Sequence, residues 1–241
     1  MRTFGLIGYP LTHSFSPGYF KEKFKKEGVL NSEYEAFELK SIGDIDILIS
    51  ERDPLGLNVT IPYKKGVIAF LDELSPEAKR IGAVNTIKIE NDIRKGYNTD
   101  IYGFQTSLLN FLGDQKPTNA LILGTGGAAQ AVQYVLEELD ICYHNVSRQM
   151  GFLNYEDLDE AIIKKHTLLV NTTPLGTYPK TNTFPDIPYR YLTNQHYLYD
   201  LVYNPSETLF MKKGKQMGAK VKNGLDMLHL QAEKSWEIWN S

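Results

Sequence analysis

The sequence predicts an α/β fold on a largely parallel sheet, divided into two domains. Three observations carry this reading. Strand-like and helix-like stretches alternate almost from end to end of the chain, the order that builds βαβ units. A fresh strand, glycine turn and helix begin near residue 120, directly after the polar stretch Gln115–Asn119. The length of 241 residues suits one large or two small domains at about 150 residues each, enough to bury a sizeable core without covalent staples.

The first expected strand is Thr3–Gly8. Ser16 before Pro17 marks a helix start, with the serine as N-cap and the proline at the first helical position. Tyr19, Phe20 and Phe24 form its apolar stripe, and Gly28 stops it. A strand at Tyr34–Leu39, a short helical stretch and a strand at Leu57–Ile61 follow; Pro62 ends that strand, and residues 63–72 read as helical. Residues 83–98 form a hairpin with Asn91 and Asp92 in the turn. A helix from about Asp100 to Leu112 stops at Gly113 and Asp114, where the domain boundary is expected. The second half opens with strand Ala120–Leu123, helix Ala128–Leu139 and strand Ile141–Val146, and adds strands at Leu168–Asn171, Tyr197–Val202 and Ala219–Val221. The last helix, Leu225–Trp239, sets Leu225, Leu228, Ala232, Ser235 and Trp239 on one stripe, with Met227 and Gln231 one turn apart on a neighbouring face.

Composition narrows the function. Apolar residues at 42% and charged residues at 23% are ordinary for a globular protein and exclude a disordered or fibrous chain. With 26 basic against 29 acidic side chains, nothing supports binding to nucleic acid by phosphate neutralisation or to a membrane by a polybasic patch. The single cysteine, Cys142, cannot form an internal disulfide and, within an apolar run, is expected in the core. No apolar run approaches the roughly 18 residues of a membrane span, and polar residues resume by Thr12 and His13, too soon for a signal peptide; a soluble, cytoplasmic protein is expected. His13, His144, His166, His196 and His229 lack metal-ligand spacing, so no metal is expected. His13 is assigned a structural role.

Residues 124–129 read Gly-Thr-Gly-Gly-Ala-Ala, directly after an apolar strand and directly before a helix. That context is the one a dinucleotide-binding turn requires. Gly124 allows the tight turn, Gly126 lets the backbone approach a pyrophosphate, and Ala129 permits close helix–strand packing, while Thr125, Gly127 and Ala128 complete the loop. The helix N-terminus supplies N–H groups and a positive dipole end. The plainer alternative is a glycine-rich turn with no ligand. At the end of the next strand an NAD site carries an acid for the ribose, but here the chain reads Ser147-Arg148-Gln149. Arg148 offers a forked guanidinium to a 2′-phosphate and Ser147 a hydroxyl, so NADP is favoured over NAD.

The first half places small polar side chains where a core would be apolar. Ser14 and Ser16 are two apart, Asn58 and Thr60 share a strand face, Lys64 follows Pro62, Asn85 lies in Gly82–Thr86, and Asp100 stands where the hairpin gives way to a helix. Singly each also has a structural reading: Ser16 and Asp100 as caps, Asn85 in a turn, Lys64 as a solvated lysine. Jointly they gather at strand ends, where open α/β sheets bind ligands.

With these residues in view, the sequence resembles the shikimate dehydrogenase family. The matching segments stand in family order: GYPLTHSFSP at 8–17, NVTIPYK at 58–64, GAVNT at 82–86, NTD at 98–100, GTGGAA at 124–129, NTTPLG at 171–176, YDLVYNP at 199–205 and NGLDMLHLQA at 223–232. The resemblance implies an NADP-dependent oxidoreductase that interconverts 3-dehydroshikimate and shikimate in aromatic amino acid biosynthesis. It implies a substrate-binding α/β domain over 1–114 plus 224–241, to which the C-terminal helix returns, and a Rossmann-type NADP domain over 115–223. By motif, Ser14 and Ser16 meet the substrate carboxylate with Tyr203 nearby. Asn58, Thr60, Asn85, Asp100 and Gln231 hold the ring hydroxyls. Lys64 matches the catalytic lysine with Asp100 as its partner, and Leu201, Gly224 and Met227 lie about the nicotinamide. The expected partners are this small-molecule substrate and the cofactor, with no nucleic acid or membrane, on a monomer or homodimer. Two departures stand out. The family commonly reads Asn-Arg-Thr where this chain has Ser147, Arg148 and Gln149, with no further basic residue before Lys164; and Thr177 replaces a common methionine. The competing readings are a quinate/shikimate dehydrogenase of relaxed cofactor choice and a catalytically silent NADP-binding protein on the same fold.

Overall fold

The structure is a computed structural model, and it describes every residue except His13, whose assigned role lies outside the described residues. The chain opens with β1 (Arg2–Gly8), α1 (Phe15–Glu27), β2 (Ser32–Glu38), α2 (Ile45–Arg52), β3 (Pro54–Val59), β4 (Glu73–Leu74), α3 (Pro76–Ile81), β5 (Thr86–Glu90) and β6 (Ile93–Tyr97). It continues through α4 (Thr99–Leu112), β7 (Asn119–Leu123), α5 (Gly127–Glu138), β8 (Cys142–Val146), α6 (Glu160–Lys165), β9 (Leu168–Asn171), β10 (Tyr197–Asp200), α7 (Leu209–Gln216), β11 (Lys220–Lys222) and α8 (Leu225–Asn240). Backbone contacts group Met1–Thr99 with Ala232–Ser241 as one unit and Asp100–Gln231 as the other.

The first unit is a six-stranded mixed sheet in the order β2-β1-β3-β5-β6-β4. β1 runs parallel to β2 and β3, while β5 is antiparallel to β3 and β6. The β5–β6 hairpin turns on Asn91 and Asp92, both left-handed at φ +51° and +63°, as a two-residue hairpin loop demands. One core of the unit gathers Ile7, Ile45, Leu57, Val59, Val67 and Ile87. The other gathers Phe4, Phe20, Phe24, Ala232 and Trp239. Gly56 on β3 is what lets the terminal helix settle there, since a Cβ at that position would run into the Trp239 ring. The Trp239 indole N–H donates to the Ile87 carbonyl at 2.9 Å.

Three sequence expectations are corrected here. Helix α1 begins at Phe15 with Ser14 as its N-cap residue, so Ser16 is inside the first turn; a first-turn N–H has no helical partner, which is why Pro17 is tolerated a residue or two later than expected. Strand β3 closes at Val59 rather than Ile61, because Thr60 opens a turn whose carbonyl accepts the Tyr63 N–H at 2.9 Å. The helical stretch expected over 63–72 is limited to a short 3₁₀ segment, Gly66–Phe70.

The second unit is a five-stranded, all-parallel sheet in the order β11-β10-β9-β7-β8. Leu121, Leu123, Val146, Leu169, Leu198 and Phe210 fill one of its layers. Helix α4 packs with this sheet: the Tyr199 hydroxyl donates to Ser107 at 2.7 Å, and Phe104 meets the Tyr199 ring edge-on at 5.1 Å. This packing groups α4 with the parallel sheet. A further correction falls on Cys142, which is exposed rather than in the core. It opens β8, the edge strand, where every second side chain faces outward. Among the described residues no helix is long and apolar enough to cross a membrane.

Candidate active site

In the first unit Ser16, Tyr34, Asn58, Asn85, Thr86, Thr99 and Ser235 form one connected array, which Ser14, Thr60 and Lys64 flank in the sequence. Ser14 caps α1 by backbone position only, with φ −76°, ψ 134° and no capping bond from its hydroxyl. Ser16 is hydrogen-bonded to the Tyr34 hydroxyl, and burial holds the Tyr34 phenol well above its ordinary ionisation range. That hydroxyl donates to Asn58 Oδ1 at 2.8 Å. The pairing of β3 with β1 and β5 sets Asn58 between Leu6 and Thr86, and Asn58 Nδ2 reaches Ser235 Oγ at 2.9 Å, Thr86 Oγ1 at 3.2 Å and the Asn85 carbonyl at 3.3 Å. Asn85 Oδ1 in turn accepts the Thr99 N–H at 2.7 Å. Thr60 follows β3, its N–H donating to the Ile7 carbonyl at 2.9 Å. Lys64 is half-buried, and its carbonyl accepts the Val84 N–H at 2.7 Å, which ties the NVTIPYK and GAVNT segments together.

In the second unit Asp100 stands in the first turn of α4. One turn on, a Cβ at Gly103 would lie 2.5 Å from the Met227 carbonyl and 3.1 Å from the Gln231 N. This close approach packs the start of α4 on the Met227–Gln231 turn of α8. Leu201 follows β10, where a Cβ at Gly224 would collide with its carbonyl, and Tyr203 beyond it is 37% exposed. Asp200 beneath them is fully buried and accepts from Thr208, Asn171 and the Val202 N–H at 2.6, 2.9 and 3.0 Å. Burial pushes its carboxyl up to about 6, against the pull of those hydrogen bonds.

The glycine turn lies where the strand order reverses between β7 and β9, the place where parallel sheets bind ligands. Gly124 has φ +113°, and a Cβ there would lie 2.7 Å from Thr172 Oγ1. Asn145 Nδ2 holds the Gly124 carbonyl at 2.9 Å. Helix α5 starts at Gly127 with Gly126 as an N-cap that brings no side-chain bond and no acid in the first turn. A Cβ at Gly126 or Gly127 would meet nothing within 4 Å, so the helix N-terminus opens into space wide enough for a phosphate to approach the backbone. A cleft of about 840 Å³ runs from Gly124 past Thr125, Ser147, Arg148, Gln149 and Tyr155. Ala128 is exposed at the helix start, while Ala129 is buried against the sheet. Open N–H groups beside an arginine fit a phosphorylated dinucleotide. Among the described residues no three His, Cys, Asp or Glu side chains are grouped to hold a metal ion.

Sequence reasoning passed over Tyr34, Thr86 and Thr99 as members of the polar array, and read Ser235 only as part of an apolar stripe. A serine inside that stripe, beside Ala232 and Trp239, was the available signal.

Comparison with known proteins bears on the same segments. Residues 6–87 match the family model described as the shikimate dehydrogenase substrate binding domain. The chain is 41% identical to a protein of Clostridium beijerinckii named shikimate dehydrogenase (NADP(+)), over 99% of this chain and 92% of that one. Shikimate 5-dehydrogenase of Thermus thermophilus, solved in complex with NADP(H) and shikimate, superposes with a TM-score of 0.83 at 31% identity, covering 99% of this chain and 93% of that one. The Listeria monocytogenes shikimate 5-dehydrogenase, solved with shikimate and NAD, gives a TM-score of 0.90 at 27% identity, covering 100% and 92%.

Proposed function

The chain belongs to the shikimate dehydrogenase family, and on that premise we propose that Lys64 and Asp100 carry its chemistry. It is an NADP-dependent oxidoreductase that interconverts 3-dehydroshikimate and shikimate, a step of aromatic amino acid biosynthesis. NADP, when bound, supplies the hydride carrier. Reduction of the ketone builds negative charge on its oxygen, and Lys64 donates a proton there, then takes it back in the reverse direction. Asp100 orients the Lys64 ammonium and a neighbouring ring hydroxyl. Ser14, Ser16 and Tyr203 receive the substrate carboxylate, while Asn58, Thr60, Asn85, Asp100 and Gln231 hold its hydroxyls. Matched polar groups of this kind reject analogues that lack a hydroxyl, because the site's own donors are then left unpaired.

For the cofactor, Gly124, Thr125, Gly126, Gly127 and Ala128 take the phosphates. Ser147, Arg148 and Gln149 take the 2′-phosphate end, and Leu201, Gly224 and Met227 take the nicotinamide end. Its partners are the substrate and the cofactor, with no nucleic acid and no membrane, and the chain works in the cytoplasm as a monomer or homodimer. The observation that carries the proposal is the retention of Lys64 and Asp100 inside NVTIPYK and NTD, which the catalytically silent alternative would have lost. Steady-state turnover of the purified protein with shikimate or quinate, each with NADP or NAD, tests it together with the Lys64→Ala variant. Turnover is expected with shikimate and NADP, and the variant is expected to lose about a thousandfold or more in kcat with NADP affinity nearly intact. A variant that keeps wild-type turnover removes Lys64 from the mechanism, and comparable rates with quinate or NAD move the protein to the broader enzyme.

A further inference from the structure

We propose that Tyr34, Thr86 and Ser235 are positioning residues, a hydrogen-bonded cage that fixes which edge of the Asn58 and Asn85 amides is turned toward the substrate; this rests on the substrate reading above. Two backbone groups determine the amide orientations without appeal to any hydroxyl. A peptide N–H can only donate, so the Asn85 atom 2.7 Å from the Thr99 N–H is Oδ1, and its NH₂ is turned the other way. A carbonyl can only accept, so the Asn58 atom 3.3 Å from the Asn85 carbonyl is Nδ2.

The hydroxyls lock what the backbone begins. Thr86 Oγ1 lies 3.2 Å from Asn58 Nδ2, 3.2 Å from Asn85 Oδ1 and 2.8 Å from Ser235 Oγ, so one hydroxyl touches both amides and the terminal helix. Ser235 Oγ lies 2.9 Å from Asn58 Nδ2 and 3.3 Å from Thr99 Oγ1. Tyr34 closes the other end by donating to Asn58 Oδ1 while bonded to Ser16, so the orientation of Asn58 is linked to a serine at the start of α1. Thr86 and Ser235 are 0% exposed, so water cannot replace a deleted hydroxyl, and its partners are left unpaired. The consequence for recognition is that Asn85 presents a donor, fitted to a ligand oxygen with a lone pair.

The test is Thr86→Val, which keeps the shape and removes the hydroxyl, with Thr86→Ser as the conservative rescue and Tyr34→Phe as a second, less buried probe. Thr86→Val is expected to raise KM for shikimate about tenfold, the loss of one buried hydrogen bond, with KM for NADP within about twofold of wild type. Thr86→Ser should restore it, and Tyr34→Phe should shift the same constant in the same direction. An unchanged shikimate KM in the valine variant overturns the proposal, as does a parallel rise in both KM values; if that variant does not fold, the same criteria apply to Tyr34→Phe. Wild-type protein that fails to turn over shikimate with NADP refutes the functional reading instead. In that case hydrogen exchange of the Asn58 side-chain amide decides the cage: protons slow in wild type and about tenfold faster in the variant support it, and equal rates overturn it.

Discussion

Asp200 is a carboxyl that solvent does not reach. It is fully buried, and the three groups that hydrogen-bond it, Thr208, Asn171 and the Val202 N–H, only partly offset the burial that pushes its carboxyl up to about 6. A carboxyl raised on folding binds its proton more tightly in the native state, so its contribution to stability is largest at low pH. That contribution falls as pH climbs from the unfolded value near 4 through the folded value near 6. Comparing wild type with Asp200→Asn isolates this site, since other titrations cancel. Between pH 4 and 7 the wild type should lose about 2–3 kcal/mol relative to the variant, measured by chemical denaturation; a difference flat with pH removes the buried charge from the account. The position is not idle, because Asp200 braces the NTTPLG segment through Asn171 and fixes the backbone at Val202, between Leu201 and Tyr203.

At the scale of elements, the segment after β8 is short and firmly held. The Ser147 N–H donates to the Leu153 carbonyl at 2.9 Å, and the Ser147 hydroxyl accepts the Gln149 N–H at 3.2 Å. Arg148 projects from this tight turn into a cleft that Glu156 and Asp186 also line, and among the described lining residues it is the basic side chain that offsets them. Arg148→Ala is therefore expected to weaken NADP binding by about tenfold or more while changing NAD affinity little, by calorimetric titration; equal losses for both would detach Arg148 from the 2′-phosphate. Elements whose chemistry is local were legible in the sequence. The Asn91-Asp92 hairpin follows from residues that accept positive φ, and the glycine turn from its strand–helix context. Elements that depend on neighbours were not: Cys142 lies in an apolar run, and only the sheet order reveals that β8 is an edge. The start of α1 was misplaced because proline is tolerated through the whole first turn. In the candidate site the motif residues were legible, but the hydroxyls behind them were not, since Thr86 in a strand and Tyr34 in an edge strand look like ordinary β-formers.

For the molecule as a whole, the first unit is made from both ends of the chain. Ala232–Ser241 belongs to it, and these residues supply Trp236 and Trp239, which pack on Phe4 at ring separations of 5.3 and 5.0 Å. Removing one buried tryptophan costs about 3–5 kcal/mol, and ending the chain after Gln231 removes both together with Ser235. The shortened protein should lose shikimate binding and the cooperative protection of β1 and β3 in hydrogen exchange, while still binding NADP through the all-parallel sheet; retained shikimate affinity would show that the first unit does not need its returning helix. The same discontinuity orders events in time. On a ribosome residues 1–99 emerge before residues 232–241, so the first unit cannot close its aromatic core until those later residues leave the exit tunnel, after the whole dinucleotide unit has been made. If that unit stayed unstructured, joining the two pieces would close a flexible loop of more than half the chain at a cost of about 4 kcal/mol. Prior folding of the parallel sheet shortens the effective loop to the distance between its two ends. Residues 1–99 thus find their last packing partners only after residues 100–231 have been made.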